Sequence, residues 1–256
     1  MFFKGGFVLL VLENLNLYLG NKHVLRDINL RIPVEGEIIG IMGPNGAGKS
    51  SLIKSMIGEF NATGTQTLDA KPIQNQLKSI TYIPQKSYLD LDFPINVETV
   101  ILSGAYKEVG WFKRVPSTMK QRLNELLRDL ELEPLRNRQI SELSGGQLQR
   151  VLVARALMTD SRVYLLDEPF VGIDYLSESL IMDKLSQLRA KGCLILIVHH
   201  DLSKAKQYFD RALLLNQTVR FLGDLETAMQ PEYINATFIS STSPDASTKE
   251  RDTQNV

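Results

Sequence analysis

The strongest chemical signal in this chain lies in eight consecutive residues, Gly43-Pro44-Asn45-Gly46-Ala47-Gly48-Lys49-Ser50. They fit G-x-x-x-x-G-K-[ST], a loop that wraps nucleotide phosphates in backbone N–H groups. Its glycines let the backbone approach an anion, and a helix starting at its end supplies oriented N–H dipoles. Lys49 would add a point charge at the β- and γ-phosphates, and the Ser50 hydroxyl would hold Mg²⁺. Ser51, next in the same helix start, is counted with the nucleotide contacts. The competing reading is a glycine-rich strand-to-helix turn that binds nothing. The flanks favour the phosphate loop, because Glu37–Met42 reads as a short buried strand and Ser51–Ile57 as a helix.

Two later groups narrow the chemistry. Val163-Tyr164-Leu165-Leu166 is a continuous apolar run ending on Asp167-Glu168, the composition of a strand buried on both faces. Asp167 would lie beside the loop and hold Mg²⁺ through its water shell, while Glu168 would orient or deprotonate an attacking water. Two acids at a strand end can also be a solvated turn. Leu143-Ser144-Gly145-Gly146-Gln147 combines a hydroxyl, glycine N–H groups and a helix start, which makes a second anion site. Ser144 serves equally as a plain helix N-cap, with the glycines as the turn. A chain holding one nucleotide has little use for two phosphate sites. A head-to-tail pair of copies does, each turn closing over the γ-phosphate held by the other's loop.

The elements that must position these groups are legible from periodicity. Phe7 to Tyr18 and Leu25 to Ile32 alternate as antiparallel strands. Pro33–Gly36 turns into the strand before the loop, and Gly64–Leu68 and Lys78–Ile83 are short strands. Ser117 is a candidate N-cap for a helix carrying Met119, Leu123, Leu126, Leu127 and Leu130, and a second helix starts near Gly146 and runs to Leu157. Helical signals dominate about 88–159, which reads as an insertion carried by an α/β core. A helix over Leu176–Lys191 closes on Gly192, a buried strand covers Leu194–Val198, and a helix covers Leu202–Phe209. Ala212–Leu215 and Val219–Leu222 form a hairpin around Asn216-Gln217. Residues 1–239 make one domain, and the polar stretch 240–256 is expected to be disordered.

The whole chain restrains the options. Its 256 residues can bury a substantial core. The 29 basic and 29 acidic residues cancel, so the strong positive field of a general nucleic-acid binder is absent and no nucleic-acid partner is expected. One cysteine, Cys193 among apolar neighbours, makes neither a disulfide framework nor a cysteine-rich metal site. The apolar run Phe7–Leu12 is too short to span a bilayer and lacks a small-residue cleavage site, and no other stretch is long enough. The expectation is a cytosolic protein, or one attached to a membrane through a partner. His199 and His200 are strand neighbours that point to opposite faces, which disfavours a shared metal ion.

In this order and spacing, Gly43–Ser50, Gln85, Leu143–Gln147, Val163–Glu168, Asp174 and His200 resemble the nucleotide-binding subunit of ABC transporters, over about Leu12 to Gly223. The resemblance implies an α/β fold: a P-loop NTPase core with an antiparallel β-subdomain and a helical subdomain carrying Leu143–Gln147. It implies that Tyr18 stacks on adenine, an ordinary strand tyrosine being the alternative. Gln85 would sense Mg²⁺ and the water and sit where the membrane subunit docks. Asp174 would lie in a loop crossing the interface between two copies, and His200 would contact the γ-phosphate. ATP and Mg²⁺ follow as cofactors. The implied partners are a second copy of the chain, an integral membrane permease and, indirectly, a metal-binding extracytoplasmic protein, all served from the cytoplasmic face of the plasma membrane. Long coiled-coil insertions, tandem cassettes and basic arms, usual in cassette ATPases of DNA repair or translation, do not appear.

Leu89–Val97, Gly110–Arg114, Gln139–Leu143 and Tyr208–Arg211 are similar to importers of manganese, zinc and iron within that family. Ser103-Gly104-Ala105-Tyr106 departs from the Met-Gly-Arg-Tyr more usual there. Leu89–Arg114 would surround the permease-facing surface and so report the membrane partner rather than the ion.

Overall fold

The computed structural model describes residues 8–85, 94–106 and 115–239. The expected permease-facing stretch 89–93 and 110–114 and the polar tail 240–256 lie outside the described residues, as does the start of the first expected strand.

Strands β1 (Leu9–Leu19) and β2 (Lys22–Pro33) pair antiparallel, with Leu10 opposite Ile32 and Tyr18 opposite His23. β1 also pairs antiparallel with a later strand, β4 (Thr63–Leu68), whose outer edge carries the short β5 (Lys71–Pro72). Between them in sequence come β3 (Glu37–Met42) and helix α1 (Lys49–Met56). The other strands are β6 (Ile80–Ile83), β7 (Val163–Asp167), β8 (Leu194–Val198), β9 (Arg211–Asn216) and β10 (Thr218–Asp224). They join β3 in a six-stranded sheet of order β10-β9-β3-β8-β7-β6. Only β10 runs antiparallel within it. This is the α/β architecture anticipated for a P-loop core with an antiparallel sheet beside it.

Every residue of β7 and β8 is buried, which explains their unbroken apolar runs. Side chains alternate across the sheet and divide between two cores. Ile195 and Ile197 join Ile38, Tyr164, Leu166 and Leu214 on the side of the helices. Leu194, Leu196 and Val198 join Ile39, Ile41, Leu165 and Leu213 on the side of α1 and the antiparallel sheet, where Leu10, Leu12, Leu15, Leu17, Leu52 and Ile53 meet them. At Gly40, in the middle of β3, a Cβ would lie 2.4 Å from the Phe209 ring, so only glycine fits.

The helices of the first core are α2 (Val97–Ser103), α3 (Ser117–Asp129), α4 (Gly145–Ala156) and α5 (Tyr175–Ala190). Leu123, Leu126 and Leu127 of α3 meet Val97 and Ile101 of α2 and Leu148 and Val151 of α4 in one cluster with Tyr164 and Leu166 of the sheet. Arg136 and Glu98 form a bidentate pair at 2.6 and 3.2 Å that ties the α3–α4 connection to α2.

Three local expectations need correcting. Ser117 is not an N-cap. Pro116, with its fixed φ and an extended ψ of 155°, takes that position, and Ser117 is the first helical residue. The strand expected from Lys78 begins at Ile80, because Ile73–Ser79 forms a 3₁₀ turn. Leu202–Phe209 is a 3₁₀ turn over Leu202–Lys204 followed by a single α turn, Ala205–Tyr208, rather than one helix. Gly192 (φ 86°) does close α5, one residue beyond the C-cap Lys191.

Leu196→Ala is expected to cost about 2–5 kcal/mol, since the side chain is fully buried between strands that cannot collapse onto the hole. Urea denaturation monitored by circular dichroism measures it.

Candidate nucleotide-binding site

The carboxyl edge of the parallel sheet collects the groups singled out above. β3 runs into the loop Gly43–Gly48, which enters α1 directly. Gly46 and Gly48 have φ of 79° and 95°, a region that only glycine visits freely. A Cβ on Gly48 would lie 2.6 Å from Leu25 Cδ2 and one on Gly43 would lie 1.9 Å from the Leu215 carbonyl oxygen. Strands β2 and β9 therefore press on the loop from two sides. Gln217, alone in the left-handed region at the β9–β10 turn (φ 59°), donates its N–H to the Ala47 carbonyl at 2.8 Å and accepts from Arg26 N–H at 2.7 Å. This prop has no signature in the sequence beyond the hairpin itself.

No side chain caps the N-terminus of α1, and its first turn holds no acidic residue. Its leading N–H groups, on Lys49, Ser50 and Ser51, are thus left for an anion. Lys49 is 6% exposed and donates to the Gly43 and Pro44 carbonyls at 2.8 and 2.9 Å. Burial pushes its pKa below the ordinary lysine value, and the charges of Glu168 and Asp167 work against that shift. Ser50 Oγ donates to Asp167 Oδ1 at 2.7 Å. Asp167 is buried at the end of β7, and desolvation raises its pKa, with the Ser50 hydrogen bond opposing. Next in chain, Glu168 has a positive φ of 48° and accepts from Gln85 Nε2 at 2.9 Å. Gln85 follows β6 after Pro84, so Gln85, Glu168, Asp167, Ser50 and Lys49 come together from three strand ends.

β8 delivers the two histidines. His199 N–H bonds the Ile41 carbonyl, and its buried ring sits among Phe170, Tyr208 and Phe209 at centroid distances of 5.9, 6.5 and 5.6 Å. Burial lowers its pKa, and neighbouring His200 adds to that shift. His200 is exposed. No cluster of histidine, cysteine, aspartate or glutamate suited to a metal ion occurs among the described residues. Cys193 is half-buried, its thiol raised by desolvation and donating to the Ser161 carbonyl.

Tyr18 is 57% exposed at the open end of the β1–β2 pair. Its ring stacks on His23 with centroids 4.0 Å apart and planes 14° from parallel, and His23 Nε2 lies 3.0 Å from Asn16 Oδ1. His23 was not singled out by the sequence. Its only signal is its cross-strand position opposite Tyr18.

Ser144, Gly145, Gly146 and Gln147 form a separate cluster. Ser144 N-caps α4 in a capping box: its Oγ accepts from Gln147 N–H at 3.3 Å, and its own N–H donates to Gln147 Oε1 at 3.0 Å. A Cβ on Gly146 would lie 2.2 Å from Asp174 Oδ2 and 2.4 Å from Ser177 Oγ. Asp174 N-caps α5, accepting from the Ser177 N–H and hydroxyl at 2.9 Å each, which holds its carboxyl below the ordinary aspartate range. Among the described residues no hydrogen bond joins this cluster to Gly43–Ser50.

A parallel sheet that presents an uncapped helix start, a buried lysine and an acidic strand end at its carboxyl edge is the architecture of the P-loop nucleoside triphosphatases. Comparison with known proteins refines the class. Residues 25–171 match the family described as ABC transporter. The manganese transport system ATP-binding protein MntB of Halalkalibacterium halodurans is 42% identical, over 88% of this chain and 90% of that protein. The zinc transport system ATP-binding protein TroB of Treponema pallidum is 42% identical over 90% and 88%. A solved ATP-binding cassette of an ABC transporter, in its ADP conformation, superposes with a TM-score of 0.77 at 26% identity, covering 90% of this chain and 98% of that one. The chain belongs to the ABC transporter family. It is an ATP-binding subunit of that family, and its activity is ATP hydrolysis. No helix among the described residues is long and apolar enough to cross a membrane.

Gly146→Ala is expected to push Asp174 off its cap and lower ATP hydrolysis by about a hundredfold, the scale of an ångström misplacement, while the far-ultraviolet circular dichroism spectrum stays that of the parent. Steady-state phosphate release measures the loss.

Proposed function

We propose that this ATPase energises a membrane importer of divalent metal ions, manganese or zinc. The observation that carries it is the pair of relatives named for manganese and zinc transport, each matched across nearly the whole length of both chains. Residues 1–239 act as the ATPase unit, on the cytoplasmic face of the membrane, docked through Gln85 and its surroundings on a permease that receives the ion from an extracytoplasmic binding protein.

The site geometry supports a specific division of labour. Tyr18 stacks on adenine. The N–H groups of Gly43, Asn45, Gly46, Ala47, Gly48, Lys49, Ser50 and Ser51 enclose the β- and γ-phosphates, with Pro44, which has no N–H, setting the loop's entry. Lys49 exchanges the carbonyls of Gly43 and Pro44 for phosphate oxygens. The residues present fit Mg²⁺: Ser50 Oγ and Asp167 Oδ1 are hard oxygen donors 2.7 Å apart, and the desolvated Asp167 carboxylate gains from a cation. The ion would supply positive charge against the nucleotide's phosphates. Ser50 would hold it directly, Asp167 would hold it through water, and Gln85 would sense it together with the attacking water.

Glu168, oriented by the Gln85 amide, accepts the proton of a water whose oxygen attacks the γ-phosphorus. The bond to the β,γ-bridging oxygen breaks, and ADP departs with that electron pair. Lys49 and His200 stabilise the charge developing on the transferred phosphoryl group. So does the turn Ser144-Gly145-Gly146-Gln147 of a second copy, which closes over the nucleotide with Asp174 across the interface. The completed site is therefore shared between two copies, and its closing and opening move the permease.

Glu168→Gln is expected to keep ATP affinity and lose about 10²–10⁴-fold in hydrolysis, and to accumulate as an ATP-bound dimer in size-exclusion chromatography. Hydrolysis at the parent rate would remove Glu168 from the role of base. For the substrate, a deletion strain is expected to lose uptake of radiolabelled manganese or zinc, and normal uptake of both would refute metal import.

A further inference from the structure

We propose that Glu178 and Lys204 form a latch that sets the position of His200 relative to Asp174, making Lys204 a positioning residue for ATP hydrolysis. The inference rests on the reading of His200 as a γ-phosphate contact and goes beyond it by naming what holds that histidine.

Glu178 lies one turn into α5, its N–H donating to the carbonyl of the N-cap Asp174 at 3.0 Å. It is 4% exposed. Such a carboxylate must be paired in place. Lys204 Nζ donates to both of its oxygens, at 3.0 and 2.7 Å. The ammonium comes from the 3₁₀ turn Leu202–Lys204, which starts immediately after His200-Asp201. That turn is stiffened by Asp201 Oδ1, which accepts from Ser203 N–H at 2.8 Å and from Ser203 Oγ at 2.6 Å. Tyr208, on the following helical turn, faces the same carboxylate; its phenol is pushed up to about 12, first by burial and then by its hydrogen bond to Glu178.

His200 is thus tethered on both sides. Toward the N-terminus, His199 is caged by the rings of Phe170, Tyr208 and Phe209. Toward the C-terminus, the Lys204–Glu178 pair ties the segment to α5. That helix is N-capped by Asp174, against which Gly146 packs. One helix therefore carries Asp174, on which the Gly146 turn packs, and anchors the segment of the histidine that serves this copy's own nucleotide. Charge-assisted, two-pronged hydrogen bonds give the tether direction as well as strength. The lysine side chain is 39% exposed, and Tyr208 remains as a hydrogen-bond partner for Glu178 when the lysine is truncated.

The test uses full-length chain with four variants: Lys204→Ala, Lys204→Arg, His200→Ala and the double variant H200A/K204A. Lys204→Ala is expected to lower kcat about tenfold, the scale of a small misplacement, with the KM for ATP unchanged, and Lys204→Arg to recover most of the loss. Because Lys204 acts through His200, the double variant is expected to retain the residual single-turnover rate of His200→Ala rather than multiply the two losses. A parent kcat in Lys204→Ala, or losses that multiply in the double variant, would overturn the latch alone. His200→Ala hydrolysing at the parent rate would overturn the γ-phosphate reading and the latch with it.

Discussion

A lysine ammonium that is almost wholly out of water is the constraint on which this structure turns. Lys49 cannot remain charged there without oxygens at hydrogen-bond distance, and the Gly43 and Pro44 carbonyls supply them. For those carbonyls to face the amine, the loop must turn back across the start of α1, which needs glycine at the left-handed positions. The packing of β2, β9 and the Gln217 prop keeps it folded over. The same cation makes room for acids. The charges of Glu168 and Asp167 work against its desolvation, and the buried Asp167 is in turn favoured by the Ser50 hydrogen bond and by Lys54 and Lys49. Loop, lysine and strand-end acids are therefore one electrostatic unit.

How much of this was legible in the sequence follows from the range of the interaction concerned. The Gly43–Ser50 loop is a run of adjacent residues whose backbone needs are written in their types, and the structure places it between a buried strand and a helix, as its flanks suggested. β7 and β8 were legible because double burial leaves an unbroken apolar run. Ser144 was open between a cap and an anion site. The structure forms the cap, with Gln147 completing the box, and a cap of this kind leaves the neighbouring glycine N–H groups oriented along the helix axis. Misread boundaries came where two local preferences competed, as with Pro116 against Ser117. Contacts between distant segments left no periodic trace. The Gln217–Ala47 bond, the His23 ring on Tyr18 and the Lys204–Glu178 pair each join residues whose types are ordinary for their own strand or turn.

The two clusters of site residues differ in how they are held. The loop with Asp167, Glu168 and Gln85 is fixed by strand ends of one sheet, so its members move together or not at all. The Ser144 turn and Asp174 are fixed by helix caps, which depend on single side-chain hydrogen bonds and on the close approach allowed by Gly146. The first cluster is thus held by the sheet itself, the second by caps at the starts of two helices.

Gly40 carries a consequence of another kind. In a sheet with one wet face, sliding a strand by one residue exposes its oily side chains, and that penalty alone keeps neighbours aligned. β3 and β8 have apolar residues on both faces, so a slip would trade one greasy surface for another at little cost. What forbids it is a vacancy: the missing side chain of Gly40 is a notch of one size, filled by the Phe209 ring. Alignment of the central strands, and with it the height at which the phosphate loop emerges, is keyed by an indentation rather than by hydrophobicity.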